Sequence, residues 1–269
     1  MPAEATMTIG QAALFGAVQG LTEFLPVSSS GHLAVLKALF GLEVPTLFDV
    51  LLHVATLFVI IFVFRSRVGG ILRSLWRWVT RSSDESDKGN LRLSWVVLVA
   101  TVITGAIGFA VEHFDIELPV KVTSALFIVT ALILIGARFL HGTKDYTSIG
   151  LREGIIVGLG QGLGVLPGVS RSGATISAGL AAGVTREKAG ELAFVVFIPA
   201  MIGALLLKLK DATEMAAVVS IGPLVVAFLA ALVVGIVSLL LLMRMITAGR
   251  LHWFSLYLIP LGILGLIFL

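Results

Sequence analysis

Ser28-Ser29-Ser30-Gly31-His32 follows the break Leu25-Pro26-Val27, and Ser170-Arg171-Ser172-Gly173-Ala174-Thr175 follows Leu166-Pro167-Gly168-Val169. Clustered hydroxyls, an imidazole and a guanidinium just after a proline are groups that can bind a phosphate-like anion. Pro26 ends one helix, and Ser28 is placed to cap the next. The backbone N–H groups of Ser29, Ser30 and Gly31 then point out of a helix N-terminus, which is a ready anion site. Gly31 allows a ligand to come close, and His32 lies in the same first turn. The second copy supplies a fixed positive charge. The fork of Arg171 suits two phosphate oxygens at once, with the hydroxyls of Ser170, Ser172 and Thr175 beside a second helix start at Gly173.

Upstream of the first break, Gln19 and Glu23 are four residues apart and share one helix face. A carboxylate there needs a partner. It is a structural hydrogen bond or salt bridge between helices, or a metal-coordinating or proton-handling group. Gln19 alone says little, because amides often only hold membrane helices together. Gln161-Gly162-Leu163 leads into the second break as Gln19-Gly20-Leu21 leads into the first. The spacing that takes Ser28 to Ser170 also takes Asp49 to Glu191, each an acidic residue at the expected start of a spanning helix. First-turn carboxylates also simply suit the positive end of a helix dipole.

These polar groups sit in an apolar chain. Mean hydropathy is +1.06, with 58% hydrophobic and 13% charged residues, where soluble domains carry about a quarter charged. This is the composition of an integral membrane protein. The absence of cysteine excludes a disulfide framework and any Cys-based metal site. Met1 to Gly10 lacks the basic region of a cleavable signal, so the first apolar segment is expected to stay in the mature protein. Leu47–Phe64, Leu93–Val111, Val120–Leu140, Gly190–Leu207, Val218–Met243 and Trp253–Leu269 are long enough to span a bilayer core. Ile9–Phe40 and Leu151–Val184 are interrupted by Pro, Gly and Ser, and read as helix, turn, helix that enters and leaves on one side. The expected fold is an all-α integral membrane protein. It has six transmembrane helices plus two re-entrant helix-turn-helix segments in a single domain, with inverted repeats at approximately 8–141 and 150–269.

Charge sets the orientation. The stretch Arg65 to Arg92 reads as the longest loop and carries Arg65, Arg67, Arg73, Arg77, Arg81, Lys88 and Arg92, whereas Glu112 to Glu117 is acidic. By the positive-inside rule the first is cytoplasmic and the second extracytoplasmic. Lys144, Arg152, Arg186, Lys188, Arg244 and Arg250 then fall on the cytoplasmic side. Lys208 and Lys210 are exceptions, partly offset by Asp211 and Glu214. Two half-helix N-termini facing a central Arg imply an anionic ligand of phosphate type.

The stretches 19–32 and 167–177 resemble the two signature motifs of the bacterial undecaprenyl-diphosphatase family of the bacitracin-resistance type, and the likeness in length and span pattern covers essentially the whole chain. The resemblance implies hydrolysis of undecaprenyl diphosphate to undecaprenyl phosphate, which recycles the lipid carrier for peptidoglycan and confers bacitracin resistance. It implies Glu23, Ser29, His32 and Arg171 as catalytic residues. It implies substrate binding by Gln19, Ser28, Ser30, Gly31, Ser170, Ser172, Gly173 and Thr175. A divalent cation, Mg²⁺ or Ca²⁺, is expected on Glu23. Gln19 takes the neutral option at a position where the family uses Glu or Gln, Asp49 stands where relatives often have Glu, and His53 where Gln is common. Ser29 attacks with His32 as base, or His32 is itself phosphorylated, or His32 activates water; Ser29 is the favoured nucleophile. The expected location is the bacterial cytoplasmic (inner) membrane, with the pocket facing the extracytoplasmic side. The expected partners are undecaprenyl diphosphate and the bilayer, with no nucleic acid and with a homodimer left open. A transporter or flippase for a polyprenyl phosphate lipid is the alternative, since it too has broken helices around a mid-membrane anion site. The acid-phosphatase-like membrane phosphatases are excluded, because no His follows Arg171 at close range.

Overall fold

Residues 7–42, 46–114, 118–208 and 220–268 are described by a computed structural model of the chain. Helix α1, Ile9–Phe24, starts at Thr8, whose hydroxyl accepts from the Gln11 N–H while the Gln11 side chain reaches back to the Thr8 N–H. It stops where Pro26 forces Leu25 into an extended conformation. After the break come α2, Ser29–Phe40, and α3, Thr46–Val63. The second copy repeats the plan. Helix α7, Leu151–Leu163, ends ahead of Pro167, α8 is Arg171–Ala181, and α9 is Arg186–Lys208. The remaining long helices are α5, Lys88–His113, α6, Val120–Ala137, α10, Ile221–Thr247, and α11, Ser255–Phe268.

Among the described residues five helical stretches are long and apolar enough to cross a bilayer, covering Glu85–His113, Val120–Ala137, Arg186–Leu207, Ile221–Thr247 and Leu251–Phe268, and the bent pair that begins with α3 brings the count to six. The all-α membrane fold read from composition is therefore present. The stretch from Arg65 is not simply a loop: Arg65–Val79 forms α4, turned 79° from α3. Its apolar residues Val68, Ile71, Leu72, Leu75, Trp76 and Val79 recur at helical spacing, and its density of arginines hides that period. Glu191 is likewise not in a first turn, because α9 begins at Arg186; Asp49 is in the first turn of α3. Asp115 to Glu117, Lys210, Asp211 and Glu214 lie outside the described residues, as do the span ends at Val218 and Leu269.

Helix pairing exchanges partners between the copies. Helix α1 packs along α10, and its counterpart α7 packs along α5; α3 meets α10 as α9 meets α5. Small residues make this possible. Gly16 and Gly20 of α1 lie against the backbone of Ala227, Ala231 and Gly235 in α10, and a Cβ on Gly20 would stand 2.5 Å from the Ala231 carbonyl oxygen. Gly158, in the equivalent place to Gly16, lies against Ala100 of α5. Without a hydrophobic drive between helices in lipid, such close backbone approach supplies the packing. Replacing Gly20 by leucine is expected to split α1 from α10 and to cost at least about 3 kcal/mol, in line with severe overpacking. The check is a lower midpoint of thermal unfolding in detergent, with Gly10→Leu, where a side chain meets open space, as the control.

Candidate active site

The two breaks bring the two serine clusters together. One small cavity, of about 20 Å³, is lined by Thr22, Glu23, Ser28, Ser29, Ser30, Val169, Ser170 and Arg171. A second, of about 10 Å³, is lined by Glu23, Gln161, Arg171, Ser172 and Thr175, with an apolar wall of Phe24, Ile60, Ala193, Phe194 and Phe197. Glu23 and Arg171 belong to both, so they form the partition between them.

The two helix starts are built differently. Ser170 is an ordinary cap with extended backbone, its Oγ accepting from the Gly173 N–H at 3.1 Å. Its own N–H donates to Thr130 Oγ1 at 3.2 Å, which pins the turn to α6. Ser28 does not cap as expected. It has φ of +70°, a conformation L-residues rarely adopt and which costs of order 1–3 kcal/mol, and its Oγ lies 3.4 Å from Ser30 Oγ. A cap needs extended backbone to aim its oxygen at the helix, and Ser28 lacks it. The N–H groups of Ser29, Ser30 and Gly31 consequently have no partner among the described residues. Gly31 is tight for a different reason from the one expected: a Cβ there would meet the Phe127 ring at 2.8 Å, so its smallness serves packing. Gly173 packs similarly against Pro26, 3.0 Å from its would-be Cβ.

Glu23 is the hub. Its Oε2 accepts from Ser29 Oγ at 2.6 Å and from Gln19 Nε2 at 3.1 Å, and stands 3.1 Å from His53 Nδ1. Its Oε1 is 3.9 Å from Arg171 Nη1. That is the outer limit of an ion pair, and the guanidinium, stacked over Phe197 at 5.1 Å, makes no hydrogen bond among the described residues. Its fork is free for a ligand. Ser172 shares its hydroxyl with Ser170 at 3.2 Å, whereas Thr175 donates to the Arg171 carbonyl at 2.7 Å. With that proton used on its own helix, Thr175 offers a ligand only lone pairs.

His32 is held away from Ser29. Its Nδ1 is 2.8 Å from the Ser28 carbonyl oxygen and its Nε2 is 2.6 Å from the Tyr257 hydroxyl of α11, with the two rings stacked. Both ring nitrogens are occupied, and the proton of Ser29 goes to Glu23. The serine and histidine of the first motif thus do not form a hydrogen-bonded pair. Tyr257→Phe would leave Nε2 without its donor; we expect kcat to fall between about 10- and 100-fold with KM little changed, measured on purified protein.

Asp49 and Glu191 take other roles. Asp49 pairs with Lys37 at 2.6 Å, and Glu191 with Arg67 at 2.7 Å and Tyr146 at 2.9 Å. Sequence reasoning left His53 as either a local variation or a second pocket histidine, and passed over Tyr257. His53 lies one helical turn after Asp49 and so has a helical-spacing signal. Tyr257 carries no local signal, because it reaches the site from the other end of the chain.

Among the described residues no three His, Asp or Glu side chains gather, so a divalent cation on Glu23 would draw on amide, hydroxyl or substrate oxygens beside it. Gln19 turns its Nε2 to that carboxylate, and its Oε1 is buried without a partner. Hard cations commonly take one or two carboxylates plus substrate phosphates.

The family model described as "Bacitracin resistance protein BacA" matches residues 12–264. A protein of Treponema denticola named undecaprenyl-diphosphatase is 45% identical over 258 residues, 96% of each chain. One of Carboxydothermus hydrogenoformans with the same name is 38% identical over 260 residues, 94% of each chain, and one of Borrelia hermsii is 36% identical over 248 residues, 92% of this chain and 94% of the relative. With the match extending over both breaks and every long helix, the chain belongs to the bacitracin-resistance family of undecaprenyl-diphosphatases.

Proposed function

We propose that the protein hydrolyses undecaprenyl diphosphate to undecaprenyl phosphate and phosphate in the bacterial cytoplasmic membrane, returning the lipid carrier to peptidoglycan synthesis and so conferring bacitracin resistance. The observation that carries this reading is the 2.6 Å bond from Ser29 Oγ to Glu23 beside an uncommitted Arg171. It joins a nucleophile, a base and a phosphate fork in one cavity. Ser29 Oγ attacks the terminal phosphorus, its proton passes to Glu23, and the bond from phosphorus to the bridging oxygen breaks to release undecaprenyl phosphate. Water then attacks the phosphoserine and gives a proton to His32 Nε2, which for this step exchanges the Tyr257 hydroxyl for the water and afterwards returns the proton to solvent. Glu23 returns its proton to Ser29 Oγ as the phosphorus–serine bond breaks. Arg171 and the free N–H groups of α2 hold the phosphoryl oxygens as charge builds up.

Glu23 and Gln19 are the residues that would hold a divalent cation, Mg²⁺ or Ca²⁺ by family resemblance; when bound it neutralises diphosphate charge. A carboxylate offers about four lone-pair sites, so Glu23 can serve both an ion and the Ser29 proton.

The test is phosphate release from detergent-solubilised undecaprenyl diphosphate, with and without chelator. Release that stops with chelator supports the reading. Tight lipid binding with no phosphate released would favour a lipid transporter, which the exchanged helix pairing also suits. The two hairpins are read as re-entrant and the repeats as inverted, with the serine cavity facing outward. A cysteine introduced at position 29 in this cysteine-free chain is expected to react with an impermeant thiol reagent added outside intact cells. Labelling only in inverted vesicles would reverse that orientation.

A further inference from the structure

Away from the active site, a groove of about 470 Å³ runs between α4, α5 and α9. Its walls are almost wholly apolar, with Ile71, Leu75 and Trp78 from α4, Trp95 and Leu98 from α5, and Pro199 from α9. Leu91 and Thr101 mark its two ends on α5 and lie about 15 Å apart along that helix, which is half the thickness of a bilayer core and so the depth of one leaflet. The groove and the catalytic cavity share α9 but not a face. Val195 and Pro199 line the groove, whereas Ala193, Phe194 and Phe197 wall the cavity.

The mouth of the groove is built for a polar head. Helix α4 turns 79° away from α3 and exposes Leu72, Trp76 and Val79 along one side with arginines on the other, the pattern of a helix lying in the membrane interface. Trp78 and Trp95 are more than half exposed, and neither indole N–H has a partner among the described residues. Interfacial indoles sit at head-group level with that N–H to give. Between residues 65 and 92 seven basic side chains stand against three acidic ones. Arg77 holds Asp84 and Asp87, and Lys88 holds Glu85, so all three acids are taken. The Arg81 side chain has no partner among the described residues. Its N–H donates to the Trp78 carbonyl at 3.1 Å, which seats it one turn beyond the tryptophan at the mouth. Its φ of +56° is left-handed, in the place after a helix that glycine normally takes. The chain thus keeps an uncommitted charge where its backbone favours glycine.

We infer that the groove holds one anionic glycerophospholipid, with an acyl chain along α5 and its phosphate at Arg81. The leaflet-deep length suits a chain that enters from one surface. The surplus positive charge selects an anionic head, and the indoles add donors beside it. The lipid of the reaction is a different guest, because α9 separates a chain in this groove from the cavity of Ser29 and Arg171. Occupancy has a structural consequence. Pro199 cannot donate to the Val195 carbonyl, so α9 lacks a hydrogen bond where it lines the groove. A chain packed there braces the helix whose other face walls the active site.

The probe is phosphatidylglycerol with brominated acyl chains, added to the delipidated full-length protein in detergent, against phosphatidylcholine with the same chains. Bromine quenches tryptophan on contact, and replacing Trp76 and Trp253 by phenylalanine leaves Trp78 and Trp95 as the reporting indoles. Phosphatidylglycerol is expected to quench saturably, with a single lipid retained in native mass spectrometry. It should bind about fivefold more tightly than phosphatidylcholine, the worth of one basic side chain at a lipid head. Arg81→Gly should remove that preference without lowering the thermal midpoint of the lipid-free protein, since glycine suits the backbone there, and Arg81→Lys should keep it. Thr101→Phe fills the inner end of the groove and should abolish quenching by either lipid. Equal affinity for the two lipids, or a preference that survives Arg81→Gly, would overturn the inference. Quenching that persists in Thr101→Phe would do the same, because the chain then lies elsewhere. Displacement of the bound lipid by an equal amount of undecaprenyl phosphate would make the groove a seat for the reaction's own lipid and also overturn it. None of these readouts depends on phosphate release, so their failure leaves the hydrolytic reading standing.

Discussion

Replacing Ser29 by alanine is expected to lower kcat for phosphate release by about 10⁴-fold or more, with lipid diphosphate binding little affected, because Ser29 and Glu23 act as one unit. Ser29 Oγ donates to Glu23 Oε2 at 2.6 Å, the contact a shared proton needs. Glu23→Gln should fall by a comparable factor, and the double variant should be little worse than the worse single one. Additive losses would separate the two, leaving Ser29 as a phosphate-binding hydroxyl and Glu23 as an ion ligand only. The same experiment with His32→Ala in place of Glu23→Gln should give a more nearly additive result. His32 is tied to Ser28 and Tyr257 rather than to Ser29.

The second large effect is expected at Arg171. Arg171→Lys should lose about 10²- to 10³-fold in kcat/KM, the range seen when one donor to developing charge is removed. A lysine brings a charge but not two parallel donors in a plane. It would also lose the stacking on Phe197 that holds the guanidinium at the partition between the two cavities. Arg171→Ala should be at least as poor. The loss should appear in phosphate release while the detergent elution profile stays that of the parent. Near-normal turnover in Arg171→Lys would show that a point charge suffices.

Much of the fold was legible because hydrocarbon leaves few choices. Twenty-odd apolar residues between charged ends can only be a helix, and α5, α6, α9, α10 and α11 all lie where hydropathy puts them. Helix α4 was lost to the same reasoning: its arginines depress hydropathy, and only its period of apolar residues marks it as helical. In the site, residues belonging to the two motifs were legible because proline and serine act locally, ending one helix and starting another. Ser170 behaves as a cap for that reason. Ser28 does not, since its φ of +70° is not the extended backbone a cap needs, and no local pattern marks that departure. His53 and Tyr257 come from helices that meet the motifs only in three dimensions. The partners of Glu23 were likewise left open by sequence, and they are a serine six residues on, Gln19, His53 and, at 3.9 Å, Arg171 from the other motif.

The exchange of helices between the copies has a consequence for the order in which the molecule is made. Helix α1 carries Glu23, and its glycine face fits α10, which is synthesised after almost the whole chain has entered the membrane. Until then α1 has only its lesser contacts with α2 and α3, whereas the helix of Arg171 already has α6, α7 and α9 to pack against. Long-range contacts of this kind delay the last step of folding. The Arg171 half of the site can therefore be set before the Glu23 half, and α10 is the piece that joins them.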